Sequence, residues 1–312
     1  MKRLQACLFG LLLAACGEPL VMPQLVLEAR VLGAQLSPLD EPRSQRAELA
    51  PGEFGRLRFL VASPEDVEVQ AVVHVCRDAG TSLGAPVCAG ELLASQRIAG
   101  NTREDLSLEF QLSETLDPGE DWLIWAGFCA GGRAKALSAD RFACETGQPL
   151  ETFARFKAAR PEDGRVNLNP DLSDDRLSLG GRAWAEAPWL EAGEACASSE
   201  LPRVIVGETE SLRFRLTGED RQPRVDEAGQ FGAPSRESLT YSHAATLSGL
   251  ERAFSAIDHN SDAADFELEW DLGASASQPP DSEGRVETFY LVVRDDRGGA
   301  DWLRRQVCLI DE

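Results

Sequence analysis

"RVETFYLVVRDDRGGADWLRRQVCLI", residues 285–310, holds two apolar stretches on either side of a polar turn. Apolar side chains recurring at every second position read as strands, so the segment is a β-hairpin. Gly298-Gly299, following Asp295-Asp296-Arg297, can adopt the positive φ that joins two twisted strands tightly. An aspartate caps such a turn by accepting bonds from nearby backbone N–H groups, so Asp295 reads as structural rather than catalytic.

The same pattern extends back along the chain. "DFELEWDL" (265–272), "SLTYSHAATLSG" (238–249), "RVIVGETESLRFRLT" (203–217) and "RLSLGGRAW" (176–184) are short strand-like runs broken by turn formers. In "ATLSGLERAFSAI" (245–257), Leu247, Leu250, Phe254 and Ile257 would also suit one helix face. Gly249 and the strands around it favour strand, turn, strand. Before residue 159 the runs are "QLVLEARVLG", "GRLRFLVA", "VQAVVHVC", "LSLEFQL", "DWLIWAGFC" and "LETFARFKA", with Pro51-Gly52 and Pro118-Gly119 at turns. Leu57, Phe59 and Val61 alternate, as do Leu106, Leu108 and Phe110. "ARPEDGRVNLNPDL" (159–172) is polar and rich in turn formers. The expected organisation is all-β, with one immunoglobulin-like sandwich over 24–160, a linker over 161–172 and a second sandwich over 173–312.

The chain of 312 residues carries 52 acidic against 31 basic side chains, a net charge of −21. No basic cluster stands out against that field, which excludes nucleic acid as a partner on electrostatic grounds. A solvated surface explains the acid excess; binding of cations or basic partners is the sharper alternative.

At the N-terminus, Lys2 and Arg3 precede an apolar run, Leu8 to Ala15, interrupted by Gly10. The run falls well short of the roughly 20 residues that cross a bilayer as a helix. A basic start, a short apolar middle and a small-residue end form the pattern of a secretory signal peptide, here residues 1–15. Leu13-Ala14-Ala15-Cys16 resembles the lipobox of bacterial lipoproteins. That resemblance implies cleavage before Cys16, acylation of its thiol with chains such as palmitate, and a tether over 16–23. Gly17 stands where an aspartate would signal retention in the inner membrane, so the outer membrane of a Gram-negative cell is implied.

Cys7 leaves with the signal peptide, and six cysteines remain: Cys76, Cys88, Cys129, Cys144, Cys196 and Cys308. In an exported chain an even set reads as disulfides. Four lie in the first half and two in the second, which points to Cys76 with Cys88, Cys129 with Cys144, and Cys196 with Cys308. No Cys-x-x-Cys pair suggests zinc.

The hairpin opening this section is similar to the last two strands of a PKD-type immunoglobulin-like domain, with Tyr290, Val292, Asp295 and Gly298-Gly299 at the matching positions. "LTYSHAATLSG" resembles that family's central strand, and Trp270 the tryptophan ahead of its final hairpin. His243 departs from the pattern, at a place where the family often has an aromatic core residue. The resemblance covers about residues 165–312 and implies fold rather than activity.

Little in the chain suggests catalysis. Gly80-Thr81-Ser82-Leu83-Gly84 matches G-x-S-x-G but lacks the strand before and helix after that a nucleophile elbow requires. His74, His243 and His259 are scattered, with no metal motif. Calcium candidates are Asp258, Asn260, Asp262 and Asp265 in one polar loop, and Asn167, Asn169, Asp171, Asp174 and Asp175 at the linker. Neither run completes a calcium ligand set. Trp122 and Trp125 point to opposite faces of one strand, so one is expected in the core and the other is a candidate for exposure. Trp184 and Trp189 are candidates for a small sticky patch.

The leading expectation is a non-enzymatic, lipid-anchored envelope protein, with no cofactor beyond the lipid, acting as a spacer or as a module that binds other envelope proteins. The runner-up is a carbohydrate- or peptide-binding lipoprotein of a surface or transport complex that uses exposed tryptophans. An enzyme comes third.

Overall fold

The computed structural model describes residues 22–39, 46–82, 85–138, 141–160, 166–172, 176–191, 194–215, 221–225, 231–262, 265–273 and 283–311. Cys7, Cys16 and the lipobox lie outside them, as do Leu83, Gly84, Asp174 and Asp175. The described chain is all-β, with twenty strands arranged as immunoglobulin-like sandwiches.

In the first half, β1 (Arg30–Pro38), β2 (Phe54–Ala62) and β5 (Leu106–Gln111) pair in that order. They face a sheet made of β3 (Glu68–Ser82), β4 (Ala85–Asn101), β6 (Asp121–Ala130) and β9 (Gln148–Lys157), ordered β4-β3-β6-β9. A short hairpin, β7 (Ala134–Ser138) and β8 (Arg141–Cys144), completes this half.

In the second half, β10 (Leu177–Leu179), β11 (Arg182–Ala183), β13 (Thr209–Arg215) and β18 (Asp265–Asp271) pair as β11-β10-β13-β18. The facing sheet contains β12 (Arg203–Ile205), β16 (Leu239–Ala245), β17 (Phe254–Ile257), β19 (Arg285–Asp295) and β20 (Ala300–Ile310), ordered β12-β20-β19-β16-β17. A separate pair, β14 (Pro223–Val225) and β15 (Phe231–Arg236), lies outside both sheets.

Side-chain alternation shows how these sheets stack. Leu57, Phe59 and Val61 of β2 enter a first core with Trp122, Phe128 and Phe156. Phe289, Leu291 and Val293 of β19 enter a second core with Trp184, Phe214, Tyr241 and Trp270. The intervening residues, Leu60 and Ala62 of β2 and Tyr290 and Val292 of β19, meet each other in a third cluster with Val26, Ala244 and Trp302. The sheets β1-β2-β5 and β12-β20-β19-β16-β17 therefore press back to back. Both faces of β19 are buried, which is why "TFYLVV" is an unbroken apolar run rather than an alternating one.

A further layer covers the far side of the first sandwich. Trp122 faces the first core, while Trp125 faces outward, as their odd spacing requires. Trp125 is nonetheless buried, so neither tryptophan is exposed. The β7–β8 hairpin folds over it, with Phe142 edge-on to its ring at 5.7 Å and His74 stacked on it at 5.3 Å. Gly127 makes room for this cover, since a Cβ there would lie 2.4 Å from the Phe142 ring. Cys129–Cys144 fastens the hairpin down. The other bridges are Cys76–Cys88, across β3 and β4, and Cys196–Cys308, which ties the segment before β12 to the last strand.

Two segments sit differently from the sequence reading. Residues 24–26, expected in the first sandwich, pair with Ala245 of β16 in the second. Residues 166–172, expected as a linker, lie in the junction, where Asn167, Asn169 and Leu172 are buried. Between strands "ATLSGLERAFSAI" runs as a turn, with Gly249 at φ +99°; a Cβ at this position would overlap Asp271 O.

Candidate functional site

Beside the junction of the two sandwiches lies an open cleft of about 970 Å³, lined by β20 from Asp301 to Gln306, by Arg58, and by the segments around Arg103 and Trp189. Its floor is a network of charges. Trp302 Nε1 donates to Asp105 at 3.1 Å, and the Arg58 guanidinium sits 5.1 Å above the Trp302 ring. Asp105 also pairs with Arg304, and with Arg58 at 3.3 Å. Arg103 bonds Asp66 at 2.7 Å and pairs with Glu191. Gln35 Nε2 donates to Ala300 O at 2.6 Å, and Arg58 Nε donates to Gln35 Oε1 at 2.9 Å. Burial raises the Asp301 carboxyl above the usual range, against the opposing effects of backbone N–H donation by Leu172 and Trp302 and of Arg58.

The wall carrying Trp189 is held to β20 by side chains. Gln306 accepts from Leu190 N at 2.9 Å and donates back to Leu190 O at 2.8 Å. Arg305 Nε donates to Trp184 O at 3.1 Å. Trp184 is buried and stacks on Phe289, whereas Trp189 stands 36% exposed at the cleft. Of the five tryptophans named from the sequence, only Trp189 offers a face to solvent.

Sequence reasoning did not single out Arg58, Arg103, Asp105, Trp302 or Arg304. The available signal was the interruption of an otherwise buried strand by Asp301, Arg304 and Arg305. Chemically, the cleft offers one aromatic face and guanidinium groups already engaged with carboxylates. Its described lining contains no serine, cysteine or histidine. It is suited to hold a chain by stacking and hydrogen bonds.

A second charged cluster flanks the buried segment. Asn169 Nδ2 donates to Leu36 O at 2.8 Å while its Oδ1 accepts from Ala300 N at 2.9 Å, so this side chain bridges both sandwiches. Asn167 N donates to Glu48 at 3.1 Å. Glu237 pairs with Arg297 at 2.8 Å, and its carboxyl is pushed up to about 7, first by burial and then by the Asp295 carboxylate. Burial pushes Asp295 up to about 6, although Arg297 N and Gly299 N donate to it at 2.8 and 2.7 Å. Those two bonds are the turn cap expected from the sequence.

The other candidates do not converge. His243 Nε2 lies 3.0 Å from Ser255 Oγ, but Arg252 Nε also donates to that hydroxyl at 2.9 Å, and the His243 Nδ1 is buried with no hydrogen-bond partner. Burial lowers His243 to about 4, with Arg252 adding to the effect, so the ring is neutral near pH 7. Asp265 pairs with Arg213 on β13, Asp258 with His259, and Asp171 with Arg176. Among the described residues no three His, Cys, Asp or Glu side chains gather as a metal site. Gly80 and Thr81 lie at the end of β3, where Gly80 N donates to Asp78.

No protein-family model and no curated protein matches the chain. Among solved structures, red sea bream transglutaminase is 12% identical with a TM-score of 0.27, covering 92% of this chain and 32% of its own. Dimeric latent PorU from Porphyromonas gingivalis is 10% identical with a TM-score of 0.23, covering 91% of this chain and 24% of its own. This chain thus spans about a third or less of those two proteins. The sporulation control protein Spo0M from Bacillus subtilis is 9% identical with a TM-score of 0.23, covering 89% and 91% of the two chains. Likenesses this distant carry no argument about function.

Proposed function

We propose that the chain is a non-enzymatic, lipid-anchored protein of the outer membrane whose two sandwiches act together as a spacer or protein-binding module. The observation that carries this reading is the junction. Val26, Leu60, Ala62, Tyr290, Val292 and Trp302 are buried between the two halves. The Asp105 network and Asn169 add polar bonds across the same boundary. Joined sandwiches hold a surface at a fixed distance and orientation, which a flexible tandem would not. Leu13-Ala14-Ala15-Cys16 supplies the anchor, and the second sandwich is read as PKD-type on Trp270, the Asp295 cap and the Gly298-Gly299 turn.

Mass spectrometry of the protein extracted from membranes tests the anchor. The expected N-terminus is acylated Cys16; a chain that keeps residues 1–15 and carries no lipid overturns it. Affinity capture from detergent-solubilised membranes then tests the module, with a specific envelope protein as the expected product. A second reading, peptide or carbohydrate binding, draws on the exposed ring of Trp189 at the cleft. It predicts ligand-dependent quenching of tryptophan fluorescence that Trp189→Ala abolishes.

A further inference from the structure

The first described residues are built onto the second sandwich. Val26 N donates to Ala245 O at 2.8 Å, and Ala245 N donates to Gln24 O at 2.8 Å. Gln24 Nε2 reaches Leu250 O at 3.4 Å. Two positions earlier on β16, His243 N donates to Ala253 O at 2.8 Å. Backbone N–H groups two residues apart in a strand point to the same side. Residues 24–26 therefore continue the edge of the sheet where β17 leaves off.

This edge carries the three most exposed large apolar side chains among the described residues: Leu27 at 60%, Phe254 at 57% and Met22 at 55%. Cys16 precedes Met22 by six residues, and six residues reach at most about 20 Å however they run. An acyl group on Cys16 inserted in a leaflet thus keeps this edge within about 20 Å of the headgroups.

Resting on the reading of Cys16 as lipid-bearing, we propose that the edge formed by residues 22–27 and β17 is a membrane-contacting surface. Met22, Leu27 and Phe254 enter the boundary between phospholipid headgroups and acyl chains. Glu28 and Glu251, which flank these positions and are exposed, stay at the level of water. The partner is zwitterionic phospholipid, since these carboxylates and the net charge of −21 disfavour an anionic surface. The contact adds buried apolar side chains to the attachment that the acyl chains supply. The β7–β8 hairpin carries none of these three side chains and lies beyond the first sandwich. Two sheets separate that hairpin from the junction, a distance of about 20 Å at the usual sheet spacing.

Full-length acylated protein in phosphatidylcholine vesicles carrying doxyl-labelled lipid tests the proposal. Phe254→Trp is expected to show quenching several times that of the parent, and Leu137→Trp on the hairpin no more than the parent. Equal or stronger quenching at 137 overturns the edge as the contacting surface while leaving the anchor intact. Absence of quenching at both positions overturns the surface, and protection of Phe254→Trp that grows with protein concentration would assign the edge to a second copy of the chain. Mass spectrometry of the same sample separates these results from failure of the anchor, because an unacylated Cys16 overturns both readings together. Met22→Ser with Leu27→Ser lies away from the cores and gives a second readout, a faster release of acylated protein from vesicles. An unchanged release rate counts against the proposal.

Discussion

Glu237 and Asp295 are acids that the fold prefers to keep protonated. An exposed glutamate titrates near 4.3, whereas burial holds Glu237 at about 7 and Asp295 at about 6. Burial raises Glu48 too, opposed by the bond from Asn167 N. For a carboxyl whose pKa is higher folded than unfolded, the native state binds more protons in the interval between the two values. Its stabilising contribution is complete below the unfolded pKa and is lost as pH climbs through the folded one. The melting temperature is therefore expected to fall as pH rises from about 5 to about 8, by an amount worth on the order of 2 kcal/mol for Glu237. Glu237→Gln keeps the polar shape without the titrating proton. Its melting curve should depend less on pH and lie above the parent's at about pH 8. A parent whose stability rises over that range would contradict the assignment.

Among the elements, the hairpin over β7 and β8 and the segment before β12 are each fastened by one disulfide bridge. Replacing Cys129 and Cys144 by alanine frees the hairpin from the outer face of β6, where His74, Trp125 and Phe142 are packed. Loss of near-ultraviolet dichroism and a red shift in tryptophan emission are expected, with the first core intact. Replacing Cys196 and Cys308 opens a loop of 112 residues, a loss of about 4 to 5 kcal/mol on chain-entropy grounds, to be read by denaturant titration. Strands such as β2, β5, β13 and β18 were legible in the sequence because period two and turn residues act locally, whereas β4, β7, β8, β14 and β15 carry no such clear alternation and were not read. The cap on Asp295 and the strand-turn-strand around Gly249 were legible for the same reason. What covered the strands was not. "WLIWAGFCA" and "TFYLVV" are unbroken apolar runs, and such a run announces that both faces are buried without naming the cover. Asn169 was hard to place because a buried amide that bonds backbone groups of both sandwiches looks, in sequence, like a ligand in a solvated turn.

At the scale of the molecule, sheets and apolar layers alternate from β11-β10-β13-β18 at one end to the β7–β8 hairpin at the other. Asp105 holds this stack across its middle, accepting from Trp302 and pairing with Arg58 and Arg304. Asp105→Ala leaves two guanidinium groups without that acceptor, a loss of about 2 kcal/mol. Calorimetry should show one transition in the parent and two in the variant; a single unshifted transition would mean that the apolar contacts alone join the halves. The middle of the stack also has a consequence for biogenesis. The strip formed by Leu32, Leu60 and Ala62 is closed by Trp302 and its neighbours, yet a ribosome releases those closing residues some two hundred and forty positions later. A nascent first half must therefore wait with this strip bare, vulnerable to aggregation until the final hairpin arrives. Shielding that strip until β19 and β20 are made is the step at which a chaperone would act on this chain.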